Sequence, residues 1–119
     1  MRGGAMTGVK VYPTTVANVK HHQGPAIYVG RPSSWGNPYS HRPSILAKFS
    51  VGTLAEAIDS YAAWIQMPAR EKLRGLIPSL RGRVLTCWCA PKPCHAHILA
   101  ALADGEKWDR YLPFGWRLP

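Results

Sequence analysis

Residues 1–55 of this sequence contain no acidic side chain. The six aspartates and glutamates all lie from Glu56 onward, whereas the whole chain has a formal net charge of +9. A basic region without acids creates a positive field that concentrates phosphate groups. This distribution favours a nucleotide or nucleic acid as partner over the alternative of a merely basic, soluble surface. The basic residues ahead of Glu56 are Arg2, Lys10, Lys20, Arg31, Arg42 and Lys48.

Long apolar runs are also missing. No stretch approaches the length of a membrane-spanning helix, and the N-terminus lacks the apolar segment of a signal peptide. Cysteine is scarce, with three residues that all lie between positions 87 and 94. An odd number at such tight spacing does not match a secreted disulfide framework and is typical of reduced thiols. We therefore expect a cytoplasmic protein without a membrane partner.

The 119 residues leave room for one compact domain with a modest core. Residues 1–8 are predicted to be a flexible leader and residues 9–119 a single domain. Short apolar runs bounded by glycine or proline predict buried strands, and the last of them is expected to be central. Strands that alternate with helices favour an α/β fold with a mixed or parallel sheet and flanking helices, Rossmann-like in arrangement. The predicted strands are residues 9–12, 26–29 and 84–89.

The best-defined helix begins after Thr53. Thr53 and Glu56 form a capping box, in which each side chain satisfies a free amide of the first turn. Apolar residues then recur at helical spacing on one face, at Leu54, Ala57, Ile58, Tyr61, Ala62 and Ile65. Pro68 is placed to open a second helix. A last helix is predicted to begin near Cys94 and to stop at Gly105.

One candidate binding segment follows the predicted strand 26–29 directly. Residues 30–52 are rich in Gly, Pro, Ser and Asn and are expected to form a long loop that binds a ligand. Gly30 lets the backbone approach a ligand closely, and Arg31 can grip a phosphate. Ser33 and Asn37 offer short hydrogen-bonding groups, and Trp35 offers a stacking face for a base. The alternative is a proline-rich turn closed by a core tryptophan.

The second candidate segment contains all three cysteines and the histidine that follows them. Cys87 and Cys89 are expected on one strand face, with Cys89 as part of the binding site. Cys94 and His95 fall at a helix start, where free amides stabilise a thiolate. This favours Cys94 as a nucleophile with a lowered pKa and His95 as its acid–base partner. Because ligands of α/β folds bind at the carboxyl ends of strands, we expect both segments to share one pocket.

Two other interpretations of the cysteine cluster stay open. The side chains of Cys87, Cys89, Cys94 and His95 suit zinc, but structural zinc sites usually place two to four residues between cysteines and use two separated pairs. No metal ligand is therefore assigned. In the second interpretation, Cys87 and Cys89 are small buried apolar residues and Cys94 only begins a helix.

Three segments together resemble a bacterial and phage family called domain of unknown function 4326. They are residues 28–38 (YVGRPSSWGNP), the helix start with Val51-Gly52-Thr53, Glu56-Ala57-Ile58 and Tyr61, and residues 87–95 (CWCAPKPCH). The resemblance implies a small cytosolic α/β domain and brings no established activity. The family's pattern usually continues with Gly-Asp after Cys-His, where this chain has Ala96 and His97.

The sequence thus predicts a nucleotide- or nucleic-acid-directed enzyme or ligand-binding domain, with a nucleotide or nucleic acid as partner. Its binding residues would be Gly30, Arg31, Ser33, Trp35, Asn37 and Cys89, and its catalytic residues Cys94 and His95. The alternative is a non-catalytic nucleic-acid-binding accessory protein of a bacterium or phage, with or without stabilisation by zinc. The pattern names no cofactor, no substrate and no oligomeric state.

Overall fold

The computed structural model describes residues 14–105. The predicted leader and strand 9–12, as well as the C-terminal tail, lie outside these residues. In chain order the elements are β1 (Thr15–Asn18), β2 (Ile27–Tyr28), β3 (Tyr39–Ser40), β4 (Phe49–Ser50), α1 (Leu54–Ile65), α2 (Glu71–Gly75), β5 (Val84–Cys87) and α3 (His95–Ala103), with 3₁₀ turns at Pro68–Arg70 and Ile77–Leu80.

The main sheet is parallel and has the strand order β1-β5-β2. Strand β5 lies in the middle, as its apolar composition predicts, and its Leu85 is paired with Val16 on one side and Ile27 on the other. Parallel strands need crossover connections. Helices α1 and α2 lie in the connection from β2 to β5, whereas β1 is joined to β2 by residues 19–26, which contain no helix. The expected α/β class with a parallel sheet and flanking helices is confirmed. Rossmann-like describes it only loosely, because the sheet has three short strands.

Two features of the sheet differ from the sequence prediction. Strand β1 was not predicted, although Thr15 and Val16 are β-branched residues of the kind that strands favour. Strand β5 ends at Cys87 and not at Cys89. The chain turns away after Cys87 because the side-chain amide of Asn18 donates hydrogen bonds to the carbonyl oxygens of Trp88 (3.1 Å) and Ala90 (2.8 Å).

The long loop that was predicted over residues 30–52 contains a small second sheet. Strands β3 and β4 pair in parallel, with Tyr39 opposite Phe49 and Ser40 opposite Ser50. The rings of Tyr39 and Phe49 stack with centroids 5.0 Å apart. This pair turns the loop back over the start of α1, so that its residues wall a cavity described below.

Helix α1 follows the predicted capping and periodicity. The Thr53 hydroxyl accepts the amide hydrogen of Glu56 at 3.0 Å, while the Glu56 carboxylate accepts the amide hydrogen of Gly52 at 3.1 Å. The capping exchange therefore includes the residue before the cap. The buried face of the helix consists of Ala57, Ile58, Tyr61, Ala62 and Ile65, as the spacing predicts.

Helix α3 is buried on almost all sides and forms the centre of the core. Its C-terminal end is tied to the beginning of the sheet through Asp104, whose carboxylate accepts hydrogen bonds from the Thr14 amide (2.9 Å) and hydroxyl (2.7 Å). The Thr14 hydroxyl oxygen in turn accepts the amide hydrogen of Gly82 at 2.9 Å. These bonds join both ends of the described chain to the segment that leads into β5. Within residues 14–105, no helix has the length and apolarity that a membrane crossing requires.

Candidate functional site

A cavity of about 660 Å³ lies between the two segments that the sequence singled out. From the first segment, Gly30, Arg31 and Asn37 line it, and from the second, Cys87, Cys89, Cys94 and His95. Residues of the β3–β4 region and the start of α1 complete the wall. The structure therefore brings the loop after β2 and the turn after β5 together at one edge of the sheet, where parallel α/β proteins bind ligands.

The loop after β2 holds Arg31 in a defined position. The backbone folds into turns in which the amide of Ser33 donates to the Gly30 carbonyl and that of Gly36 to the Ser33 carbonyl, both at 2.9 Å. A Cβ atom at position 36 would lie 3.0 Å from both Cα and Cγ of Arg31. Only glycine leaves space for the arginine there, because real Cβ contacts are rarely so short. The Arg31 guanidinium lies within 3.4 Å of the Asn37 carbonyl oxygen and faces the cavity.

A chain of hydrogen bonds connects the two segments across the cavity rim. The indole N–H of Trp88 donates to the Tyr28 hydroxyl at 3.1 Å, and that hydroxyl donates to the Arg31 carbonyl oxygen at 2.6 Å. The Tyr28 ring also covers Gly30, where an added Cβ would lie 2.5 Å from the hydroxyl oxygen. Trp88 is 64% exposed and lines the cavity, so its ring is free to contact a ligand.

Among the lysine, arginine, aspartate and glutamate side chains of the described residues, only basic ones line the cavity. Arg31, Arg42 and Lys92 line it together with His41, and no described aspartate or glutamate does so. Arg42 and Lys92 are exposed and Arg31 is half-buried. A concave surface lined by one sign of charge focuses the field and attracts ligands of the opposite sign. The arrangement therefore suits an anion.

All three cysteines line this cavity. The sulfur atoms of Cys87 and Cys94 are 3.0 Å apart, and both residues are buried, whereas Cys89 is exposed. The neighbouring thiols of Cys87 and Cys94 lower the pKa of Cys89, and the charge of the nearby Arg31 guanidinium acts in the same direction. The donated hydrogen bonds, together with burial, raise the pKa of Cys94 well above its ordinary value.

This geometry corrects the prediction that Cys94 has the lowered pKa. Cys94 does occupy the N-cap of α3, but it is only 2% exposed and gives its hydrogen bond to another sulfur. Its interactions with the Cys87 and Cys89 thiols, and after them burial, disfavour the charged thiolate at Cys94 more than the helix start favours it. The exposed thiolate of the cluster is Cys89, one residue beyond Trp88.

The side chain of His95 is hydrogen-bonded to the backbone. Its Nε2 donates to the Val29 carbonyl oxygen at 2.6 Å, and its ring packs edge-on against Tyr61 with centroids 4.9 Å apart. Burial lowers the pKa of His95, so the ring is neutral near neutral pH. In this position His95 fixes the end of β2, where the binding loop begins.

His97 closes the start of α3. Its Nδ1 accepts the amide hydrogen of Cys94 at 3.2 Å, as the third helical residue does in a capping box. Burial lowers its pKa, which keeps Nδ1 free to accept this bond.

The remaining predicted binding residues have other surroundings. Trp35 packs against the hydrophobic core, and its carbonyl oxygen accepts the Tyr61 hydroxyl at 2.8 Å. Ser33 has a buried hydroxyl without a hydrogen-bond partner among the described residues. Neither residue lines the cavity. Asn37 lines it, but its side chain already bonds the Ala57 carbonyl oxygen (3.0 Å) and the Tyr39 amide (2.9 Å).

Sequence reasoning missed the aromatic group at the site, Trp88, and two of its basic groups, Arg42 and Lys92. The signal for Trp88 was its place between two cysteines, and that for Arg42 was the basic, acid-free first half. Lys92 gave no separate signal in the sequence. Its position depends on a turn in which the Lys92 amide donates a hydrogen bond to the Cys89 carbonyl oxygen at 2.9 Å. Within residues 14–105, no group of three or more His, Cys, Asp or Glu side chains is arranged to hold a metal ion.

The described residues form a small α/β domain with a parallel main sheet. The family described as Domain of unknown function (DUF4326) matches residues 15–105, so the chain belongs to this family. The resemblance seen in the sequence is thereby confirmed. No curated protein and no solved structure matches the chain.

Proposed function

We propose that this domain binds a phosphate-bearing nucleotide in the cavity between the loop after β2 and the turn after β5, as a nucleotide-directed enzyme or ligand-binding domain. The observation that carries the proposal is the charge of the lining, which includes Arg31, Arg42 and Lys92 and no described acid. A volume of about 660 Å³ is within the ordinary range for small-molecule and cofactor sites.

The phosphate would lie against Arg31. Its guanidinium faces the cavity, and its hydrogen bond to the Asn37 carbonyl oxygen is long at 3.4 Å, so most of its donors stay available. A guanidinium forms two parallel hydrogen bonds with a phosphate, which fixes orientation as well as attraction. Lys92 and Arg42 would add charge at the exposed side of the cavity.

The base would stack on Trp88. Indole rings stack on every base, and the Trp88 ring is exposed at the rim while its N–H is already bonded to Tyr28. We propose Trp88 for this role in place of Trp35, because Trp35 packs on the core. The hydrogen bonds that join Trp88, Tyr28 and Arg31 would hold the base and phosphate positions at a constant separation.

If the domain is an enzyme, we propose catalytic roles that differ from those expected from the sequence. Cys89 would be the nucleophile, because it is exposed to the cavity and hydrogen bonds from Cys87 and Cys94 lower its thiol pKa. Cys94 would stabilise the Cys89 thiolate, and His95 would position the binding loop through Val29. Catalysis by a thiolate needs both accessibility and a lowered pKa, and Cys89 has both.

Isothermal titration calorimetry with nucleoside mono- and triphosphates tests the proposal. We expect binding that Arg31→Gln weakens by about 10- to 150-fold, since one charge-assisted pair contributes about 1.5 to 3 kcal/mol. Arg83→Gln is the matched control, because it removes the same charge from an exposed residue that does not line the cavity. Equal weakening by both variants, or no binding of any nucleotide, would refute the pocket.

The same experiment separates the alternative of a nucleic-acid-binding accessory protein. Single-stranded oligonucleotides would then bind more tightly than mononucleotides, with an affinity that falls steeply with salt through counterion release. A mononucleotide pocket predicts the opposite order and a shallow salt dependence.

A further inference from the structure

The cysteine cluster combines an exposed thiol with a buried pair. Cys87 and Cys94 have sulfur atoms 3.0 Å apart and belong to different elements, the end of β5 and the cap of α3. They are 1% and 2% exposed, respectively. A disulfide requires little further approach, since its sulfur atoms lie about 2 Å apart. The fold therefore holds a dithiol close to the geometry of its oxidised form.

The pair itself is shielded from oxidants in solution. A buried thiol in apolar surroundings stays protonated and reacts slowly. Burial and the neighbouring sulfurs raise the pKa of Cys94, and the hydrogen bond with Cys89 raises that of Cys87. An oxidant therefore has to react first with another, more accessible group.

Cys89 is such a group. It is exposed, follows Cys87 by two residues and lines the same cavity as Cys87 and Cys94. The cavity wall therefore combines one accessible thiol with a buried pair whose sulfur atoms are 3.0 Å apart. Thiolate character and access together determine where a protein is oxidised first.

We infer that Cys87, Cys89 and Cys94 form a peroxide-reactive site, in which the exposed Cys89 is oxidised first and the oxidation is passed inward to a Cys87–Cys94 disulfide. The inference does not depend on nucleotide binding, because it concerns the sulfur atoms alone. Its reagent is a hydroperoxide, with hydrogen peroxide as the simplest example.

The first step is attack of the Cys89 thiolate on hydrogen peroxide. A sulfur–oxygen bond forms, the oxygen–oxygen bond breaks, and the hydroxide that leaves takes up a proton to become water. Cys89 is then a sulfenic acid. In the second step, the Cys94 sulfur loses its proton and attacks Cys89. A disulfide bond forms and the sulfenic hydroxyl leaves with that proton as water.

The third step is thiol–disulfide exchange. Cys87 releases its proton to solvent and attacks the sulfur of Cys94, with which it is already in contact; the Cys94–Cys89 bond breaks and Cys89 leaves as a thiolate. The released proton balances the one that the hydroxide takes up in the first step. The low pKa of Cys89 makes it the better leaving group, which favours this direction. Overall, two thiols and one hydrogen peroxide give one disulfide and two waters, and Cys89 is reduced again.

Differential alkylation of the wild-type protein tests this sequence without any variant. The reduced protein receives one equivalent of hydrogen peroxide and is quenched in acid. Free thiols are then alkylated in denaturant, and the chain is cut by chymotrypsin, which cleaves after Trp88 and separates Cys87 from the other two cysteines. We expect two peptides joined by a disulfide, with the alkyl group on Cys89. A disulfide within the Cys89–Cys94 peptide, or oxidation that stops at Cys89, would overturn the transfer.

The order of events is tested by the rate. Cys89→Ser leaves the buried pair intact, and because the residue is exposed, the fold is expected to survive. We expect the rate of disulfide formation to fall by about tenfold or more. It should then be no higher than the rate at which free glutathione reacts with hydrogen peroxide. Circular dichroism confirms that the variant is folded. Disulfide formation at the wild-type rate in Cys89→Ser would show that the buried pair reacts directly and would overturn the role of Cys89.

Discussion

The Tyr28 hydroxyl accepts a hydrogen bond from the Trp88 indole at 3.1 Å and donates one to the Arg31 carbonyl oxygen at 2.6 Å. One side chain of β2 thus joins the turn that carries the thiols to the loop that carries the phosphate-binding candidate. The two walls of the cavity are therefore coupled mechanically, although fifty-seven positions separate Arg31 from Trp88 in the sequence.

The substitution Tyr28→Phe removes this hydroxyl and keeps the ring, so it tests the two hydrogen bonds separately from the packing of the ring. Tyr28→Phe is expected to lower the free energy of unfolding by about 1 kcal/mol, because two hydrogen bonds are lost at a partly exposed site. We also expect nucleotide affinity to fall, and by more than the loss of stability alone would cause. The reason is that the Arg31 carbonyl oxygen loses its hydrogen bond from the Tyr28 hydroxyl. Urea denaturation and calorimetry measure the two quantities. Tyr39→Phe is the stability control, because its hydroxyl has no hydrogen bond among the described residues.

Gly36 and Gly75 offer a matched pair of glycine substitutions. Gly36→Ala places a Cβ 3.0 Å from the Arg31 Cα and Cγ atoms, so we expect a displaced loop, a loss of nucleotide affinity and reduced stability. Gly75→Ala meets no atom within 4 Å and lies in α2, where alanine is the better helix former by about 0.5 to 1 kcal/mol. Thermal unfolding should move in opposite directions for the two variants. A loss of stability in both would contradict this description of the loop.

The bond between Thr14 and Asp104 is expected to stabilise the whole domain. Asp104→Ala leaves the buried Thr14 amide and hydroxyl without their acceptor, which costs about 1 to 3 kcal/mol. Glu71→Ala, at an exposed position of the first turn of α2, should change the free energy of unfolding by less than about 1 kcal/mol. Chemical denaturation gives both values. Equal effects of the two substitutions would show that the link between β1 and α3 contributes little.

Stability should fall on mild acidification. Burial lowers the pKa of both His95 and His97 in the folded state, so the unfolded chain binds more protons than the folded one as the pH drops. The contribution of the two histidines to the free energy of unfolding is complete above their pKa of about 6.5 in the unfolded chain. It is lost as the pH falls toward their lower pKa values in the folded state. His97→Gln keeps an acceptor at the helix cap and should make this pH dependence shallower, whereas His21→Gln, at an exposed position, should not. Stability that rises on acidification would refute the neutral, buried state of these rings.

Local patterns in the sequence determined a large part of the fold. Helix α1 was predictable because its capping box and apolar spacing act within four residues of each other, and the start of α3 at Cys94 followed from the same kind of signal. The central position of β5 followed from its apolar composition. The two segments around the cavity were also found, since the carboxyl ends of parallel strands share one edge of a sheet. In contrast, β1 was missed because its four residues carry only a weak strand signal.

Only the tertiary structure decided which side chains of those segments face the cavity. Sequence position cannot distinguish Trp35, which packs on the core, from Trp88, which is exposed at the rim. Nor can it rank the thiols, since the helix start that favours a charged Cys94 is outweighed by burial, a property of the whole fold. The 3.0 Å contact between Cys87 and Cys94 exists because α3 packs against β5. Spacing along the chain thus located the site, and packing between distant elements determined its chemistry.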